Sequence, residues 1–210
     1  MPSIGALIAF ALVAFGLAAT PGPNMIYLVS RSLSQGPKAG LVSLIGVGLG
    51  FIIYMLLAAF GITAIFVAVP YAYDTLRLAG AGYLLYLAWQ ALKPGGRSPF
   101  ETRELPHDSP RKLVLMGLMT NLLNPKAAML YLALLPQFVD PARGSVLLQS
   151  VVLGSMQIAI SLAVNGIIAA TAGSISNFLA RSPRWVRLQR WFMGTVLTGL
   201  AVNMLRESRR

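Results

Sequence analysis

Two helix-breaking motifs interrupt two apolar stretches of this chain, about one hundred residues apart. The first is Thr20-Pro21-Gly22-Pro23-Asn24 and the second is Thr120-Asn121-Leu122-Leu123-Asn124-Pro125-Lys126. In water a broken helix costs little, because solvent pairs with the freed N–H and C=O groups. In lipid those groups have no partner, so such breaks persist only where protein buries them or where they line a polar cavity. A matched pair of breaks in the two halves of a membrane chain is a sequence pointer to a transporter's binding site.

Composition shows that the solvent is lipid. The chain is 56% hydrophobic and 11% charged, with a mean hydropathy of +0.70; a soluble domain carries about 25% charged residues. Six spans fit the pattern: about Ile4 to Ser34, Ala39 to Val69, Tyr71 to Leu92, Arg111 to Leu135, Ser145 to Thr171 and Pro183 to Leu205. Spans one and four contain the breaks. Ile4 to Ala19 lacks the basic region that precedes a cleavable signal, so it reads as a retained span.

Each break is followed by a Pro- and Gly-containing turn, Gln35 to Gly40 and Asp140 to Gly144, then a long span, then Pro70 or Pro183. Three spans per half is an odd number, so the second half enters from the opposite side. The expected fold is an all-α integral membrane protein of six transmembrane helices arranged as two inverted three-helix repeats. Residues 1–94 form the first repeat, 95–110 a polar cytoplasmic loop, and 111–210 the second repeat. A homo-oligomer is compatible with this pattern but not specified by it.

The net charge of +11 does not point to nucleic acid, because the cations lie in short segments between spans. Positive-inside counting places eleven Lys and Arg residues in the cytoplasm and five outside if both termini are outside, with Lys126 inside the fourth span. Arg181, Arg184, Arg187 and Arg190 recur every third residue beside Trp185 and Trp191, a face expected to meet anionic lipid.

Lys126 lies 14 residues beyond Lys112, roughly 21 Å along a helix, which still puts it within the hydrocarbon. A cation there costs about 2.5–3.5 kcal/mol on insertion scales and is functional by default; the alternative is that its flexible stem snorkels to the far interface. Asn124 caps and Pro125 starts a half-helix whose N-terminal N–H groups favour an anion, so Asn121, Asn124, Pro125 and Lys126 are expected around a substrate carboxylate. Pro21 and Pro23 remove two donors and leave carbonyls of the preceding turn free. With Gly22 and Asn24, these carbonyls suit an ammonium. Gln157, Ser161 and Asn165 form one polar stripe on the fifth span, suited either to the pathway or to helix contacts; Gln157 and Asn165 join the candidate site. Tyr83, Tyr86 and Gln90 form a similar stripe on the third. The site's lack of an acid disfavours a dibasic substrate.

Enzyme signatures are absent. His107 is the single histidine and there is no cysteine, which leaves no histidine pair for a metal and no thiol nucleophile. No span carries two carboxylates and nothing reads as a phosphate loop, so no cofactor or resident metal is expected.

These motifs resemble the lysine exporter (LysE/RhtB) family of bacterial amino-acid efflux proteins, nearly end to end. The resemblance is carried by Ala19 to Asn24 with Ser30 to Gly36, by Ala79 to Leu87, by Thr120 to Ala127 and by Pro136 to Val139. It implies six spans in the bacterial inner membrane and secondary active export of amino acids driven by the proton motive force. Neutral or hydroxy amino acids such as homoserine or threonine are favoured over basic ones, and the alternative is a cation or metal-ion exporter of the wider superfamily. Many relatives carry an Asp after the glycines of the second span, whereas here Phe51 follows Gly50. Asp74, near the outer end of the third span, is then the remaining candidate for proton coupling, although its position suits an interfacial helix-end role better.

Overall fold

The chain's first helix begins at a side-chain cap: Ser3 Oγ accepts from the Ala6 N–H at 3.0 Å, opening α1 (Ile4–Ala19). The computed structural model describes residues 1–68 and 107–181, together with positions 78, 81–82, 85–86, 89, 92–93, 191, 195, 198–199, 201–202 and 205. Within these residues the architecture is all-helical. After α1 come α2 (Pro23–Gln35), α3 (Pro37–Ala68), α4 (Pro110–Leu122), α5 (Pro125–Met129) and α6 (Val146–Arg181). Pro21 and Pro23 end the first helix because neither can donate to the preceding turn, and the chain bends by 49° between α1 and α2. Pro125 does the same in the second half, where the bend is 55°.

The continuation of α5 differs from the regular half-helix that the sequence suggests. It widens into a π turn over Leu130–Leu134 and tightens into a 3-10 turn over Leu135–Phe138. Pro136 accounts for this, since it has no N–H for the ladder and its ring presses on the carbonyl four residues back. The fifth span also runs further than expected. Helix α6 continues past Thr171 to Arg181, because no proline interrupts it before Pro183.

Burial is inverted relative to a soluble protein. Ile4, Ile8, Leu12 and Phe15 of α1, and Ile45, Ile52, Leu56 and Phe60 of α3, are exposed, whereas Asn24, Ser43, Asn121, Asn124, Gln149, Gln157, Ser161 and Asn165 are buried. Apolar faces turned outward and polar groups turned inward are what lipid selects. Two helices, Pro37–Gly61 and Val146–Ser174, are each long and apolar enough to cross a membrane, and counting each bent pair as one span raises the number to four. The expected third and sixth spans fall outside the described residues except at scattered positions.

Helix α3 packs against α2, α4 and α6, and both α1 and α2 pack on α6. The α3–α4 contact is backbone on backbone. A Cβ placed on Gly46 would come within 1.9 Å of the Val114 carbonyl oxygen, and one on Gly117 within 2.3 Å of the Ser43 carbonyl oxygen. The Gly46–Gly50 pair thus serves α4, whereas Gly48 faces Leu162 of α6. The α2–α3 turn needs Gly36, whose φ of 86° lies in the left-handed region.

Candidate functional site between the two helix breaks

Each break leaves a carbonyl that its proline or cap can no longer satisfy. In an unbroken α1 the Leu17 carbonyl would accept from residue 21, but Pro21 has no N–H. The Leu17 oxygen instead accepts from Lys126 Nζ at 2.8 Å, and the Thr20 oxygen accepts from the same ammonium at 2.7 Å. Lys126 therefore bridges the two breaks. It can do so because Gly22 has no side chain, since a Cβ there would stand 3.0 Å from Lys126 Nζ.

At the second break, Asn124 caps α5 with its Oδ1 accepting from the Lys126 N–H at 3.0 Å. That bond takes away the donor which would have reached the Leu122 carbonyl, and the Tyr54 hydroxyl donates to it at 2.7 Å instead. Tyr54 stacks on Tyr131, with ring centroids 5.9 Å apart. The Tyr131 hydroxyl in turn bonds the Gln157 side-chain oxygen. Gln157 donates to Ser161 Oγ at 2.7 Å, and Asn165 donates to the Ser161 carbonyl at 2.9 Å.

A cavity lies where these elements meet. Its polar groups are Asn24, Asn124, Lys126, Gln157, Ser161 and Asn165, and its apolar wall includes Leu17, Met25, Phe51 and Leu130. Asn24 Oδ1 and Asn124 Nδ2 are buried without a hydrogen-bond partner, an acceptor and a donor held out of water at a cost unless a ligand meets them. The space measured at the centres of water molecules is about 30 Å³, and one water needs roughly 10–15 Å³ on that measure. A whole amino acid enters only when Lys126 or the helices move.

Of the residues singled out from sequence, the cavity collects Asn24, Asn124, Lys126, Gln157 and Asn165, while Pro21, Gly22 and Pro23 shape the break beside it. Pro125 opens α5, although its ring is not described. Asn121 sits elsewhere, buried against Gly50 of α3 and absent from the cavity wall, with both side-chain polar atoms unpartnered. Asp74, Tyr83, Gln90, Arg184, Arg187, Arg190 and the Arg181 side chain lie outside the described residues. Sequence reasoning did not find Met25, Tyr54 or Tyr131, nor that Phe51 lines the cavity. Among the described residues no three His, Cys, Asp or Glu side chains come together.

A second polar cluster closes one end of the bundle. Arg31 of α2 pairs with Asp108 at 2.6 Å, and Asp108 also meets Lys112 of α4 at 2.5 Å. The Tyr27 hydroxyl donates to the Leu113 carbonyl at 2.7 Å and accepts from Ser43 Oγ at 3.1 Å. The hydrogen bond from Lys112, aided by the charge of Arg31, holds the Asp108 carboxyl below its ordinary value despite partial desolvation. This cluster ties α2 to α4 at the end opposite the breaks.

Comparison with known proteins gives the chain its relatives. The family model for LysE type translocators matches residues 15–208. A Vibrio cholerae protein described as an uncharacterized membrane protein is 28% identical over 193 residues, covering 91% of this chain and 92% of its own. The leucine efflux protein of Enterobacter sp. (strain 638) is 24% identical over 201 residues, covering 91% and 90%. That of Salmonella typhimurium is 25% identical over 188 residues, covering 88% and 87%. No solved structure matches the chain.

Proposed function

Because the chain belongs to the LysE type translocator family, a family of membrane transporters rather than enzymes, we propose that it exports a neutral amino acid across the bacterial inner membrane through the cavity between its two helix breaks. The observation that carries this reading is the Lys126 ammonium of one break seated on the Leu17 and Thr20 carbonyls of the other. A zwitterion needs acceptors at one end and donors at the other. Asn24 Oδ1 on the cavity wall and the two carbonyls that hold Lys126 are the acceptors, with Asn124 Nδ2 and Lys126 as donors.

Among the described residues no acid lines the cavity, which favours a neutral over a basic side chain. Homoserine and threonine fit that class, and the polar edge of Gln157, Ser161 and Asn165 could serve a hydroxyl. The Leu17, Met25, Phe51 and Leu130 wall better suits an aliphatic side chain, as does the leucine efflux named for two of the relatives. A hard cation would instead need several oxygen ligands, and Lys126 already holds the freed carbonyls with a positive charge.

In this reading six spans form two inverted repeats, both termini lie outside, and the proton motive force drives export, with Asp74 the sequence candidate for proton transfer. The Arg31–Asp108–Lys112 cluster then faces the cytoplasm. The test is counterflow in proteoliposomes against a panel of amino acids, with and without a pH gradient. Exchange of neutral amino acids, accelerated by the gradient, is expected; no exchange for any amino acid would refute the proposal.

A further inference from the structure

The Leu17–Thr20 carbonyl pair already holds a primary ammonium, that of Lys126. From this we infer, resting on the amino-acid reading above, that Lys126 occupies the subsite of the substrate's own ammonium while the carrier is empty, and that only a ligand bringing both an ammonium and a carboxylate can displace it. The lysine ε-ammonium and an α-ammonium present the same three donors and no acceptor. A pair of oxygens that binds one at 2.7 and 2.8 Å is therefore chemically matched to the other. It holds one ammonium at a time, because the Leu17 oxygen also accepts from the Thr20 N–H at 3.2 Å.

Displacement has a consequence for selectivity. Once pushed off the carbonyls, the Lys126 ammonium stands in a cavity where, among the described residues, no other lining side chain carries a charge. A buried cation without a partner is costly. A simple amine would take the carbonyls and strand Lys126. An α-amino acid supplies the remedy, because its carboxylate can accept from the displaced ammonium and from Asn124 Nδ2, which has no other partner. A 2-hydroxy acid offers the carboxylate but cannot compete for the carbonyls. Lys126 thus acts as a specificity-determining residue that admits ligands by the pairing of their charges. Gly22 leaves room for its movement, since a Cβ there would reach 3.0 Å from Nζ and 3.2 Å from Cε.

The test is equilibrium binding to the full-length protein in lipid nanodiscs, using the best neutral amino acid from the counterflow panel. For leucine the series is leucine, leucinamide and 2-hydroxyisocaproate. Wild type should bind leucine and neither analogue. Lys126→Met should bind leucinamide tenfold or more tighter than wild type, since nothing then competes for the carbonyls. Gly22→Ala, which crowds Nζ without removing it, should shift leucinamide several-fold the same way and covers the case of a poorly folding Lys126→Met. Leucinamide binding that is unchanged or weaker in both variants, with leucine still bound by wild type, would overturn this inference and leave the export reading standing. Failure of every neutral amino acid to bind wild type would remove both.

Discussion

Substituting one methyl group at Gly46 tests whether α3 and α4 touch through their backbones. In Gly46→Ala the new Cβ falls 1.9 Å from the Val114 carbonyl oxygen and 2.8 Å from the Leu118 nitrogen. A carbon–oxygen contact closes to about 3.3 Å at best, so the helices must part locally by roughly 1.4 Å. Overpacking typically costs ~1–3 kcal/mol, and a backbone obstacle that cannot rotate away puts this case near ~3. Alanine returns up to ~1 kcal/mol of helix propensity, for a net loss of about 2. Near this chain length each kcal/mol moves the melting midpoint by about 2–4 °C, giving a fall of ~4–8 °C. Gly61→Ala on the same helix meets nothing within 4 Å and should melt at or ~2–4 °C above wild type. Both are read by thermal unfolding in one detergent at one scan rate. A Gly46→Ala midpoint equal to wild type, or Gly61→Ala falling with it, would refute the packing argument.

Three further outcomes follow from the described contacts. The lowered Asp108 pKa stabilises the fold fully above the ordinary 3.8 and ceases to do so as pH falls through the depressed folded value. The melting advantage of wild type over Asp108→Asn should therefore hold from pH 8 to 5 and shrink below about 4; parallel curves down to pH 3 would discard that role. Phe51→Asp places an acid on the cavity wall that faces the substrate side chain and should raise lysine counterflow above background; leucine exchange retained without any lysine exchange would put the side-chain end elsewhere. The chain has no cysteine, so Lys38→Cys and Arg143→Cys give clean single labels: an impermeant maleimide on whole cells should reach position 143 and not 38. The opposite pattern would invert the proposed topology.

Both breaks were legible in the sequence because proline acts locally: its missing N–H can be read without knowing any neighbour. The polar stripe Gln157–Ser161–Asn165 was legible as a face, by helical period, but not as a cavity wall, because which helix it meets is set by packing. The partners of the freed carbonyls were illegible for the same reason. Tyr54 lies 68 residues from Leu122, and Lys126 lies 109 residues from Leu17. Asn121 shows the converse limit. Its place in the broken motif suggested a ligand contact, yet the close approach of α3 at Gly50 turns it away from the cavity wall. The π turn over Leu130–Leu134 depends on how the helix relieves Pro136, which no period encodes.

The two breaks are satisfied by groups of different mobility. The Leu122 carbonyl is met by a tyrosine hydroxyl on a ring wedged against Tyr131, whereas Leu17 and Thr20 are met by the tip of a four-carbon chain. One joint is pinned and the other is only tethered. Two joints held so differently need not bend equally: the tethered α1–α2 joint is expected to move and the pinned α4–α5 joint to be the anchor against which it turns. Mutations that stiffen α1–α2 should then slow turnover, while equal stiffening of α4–α5 should leave it little changed.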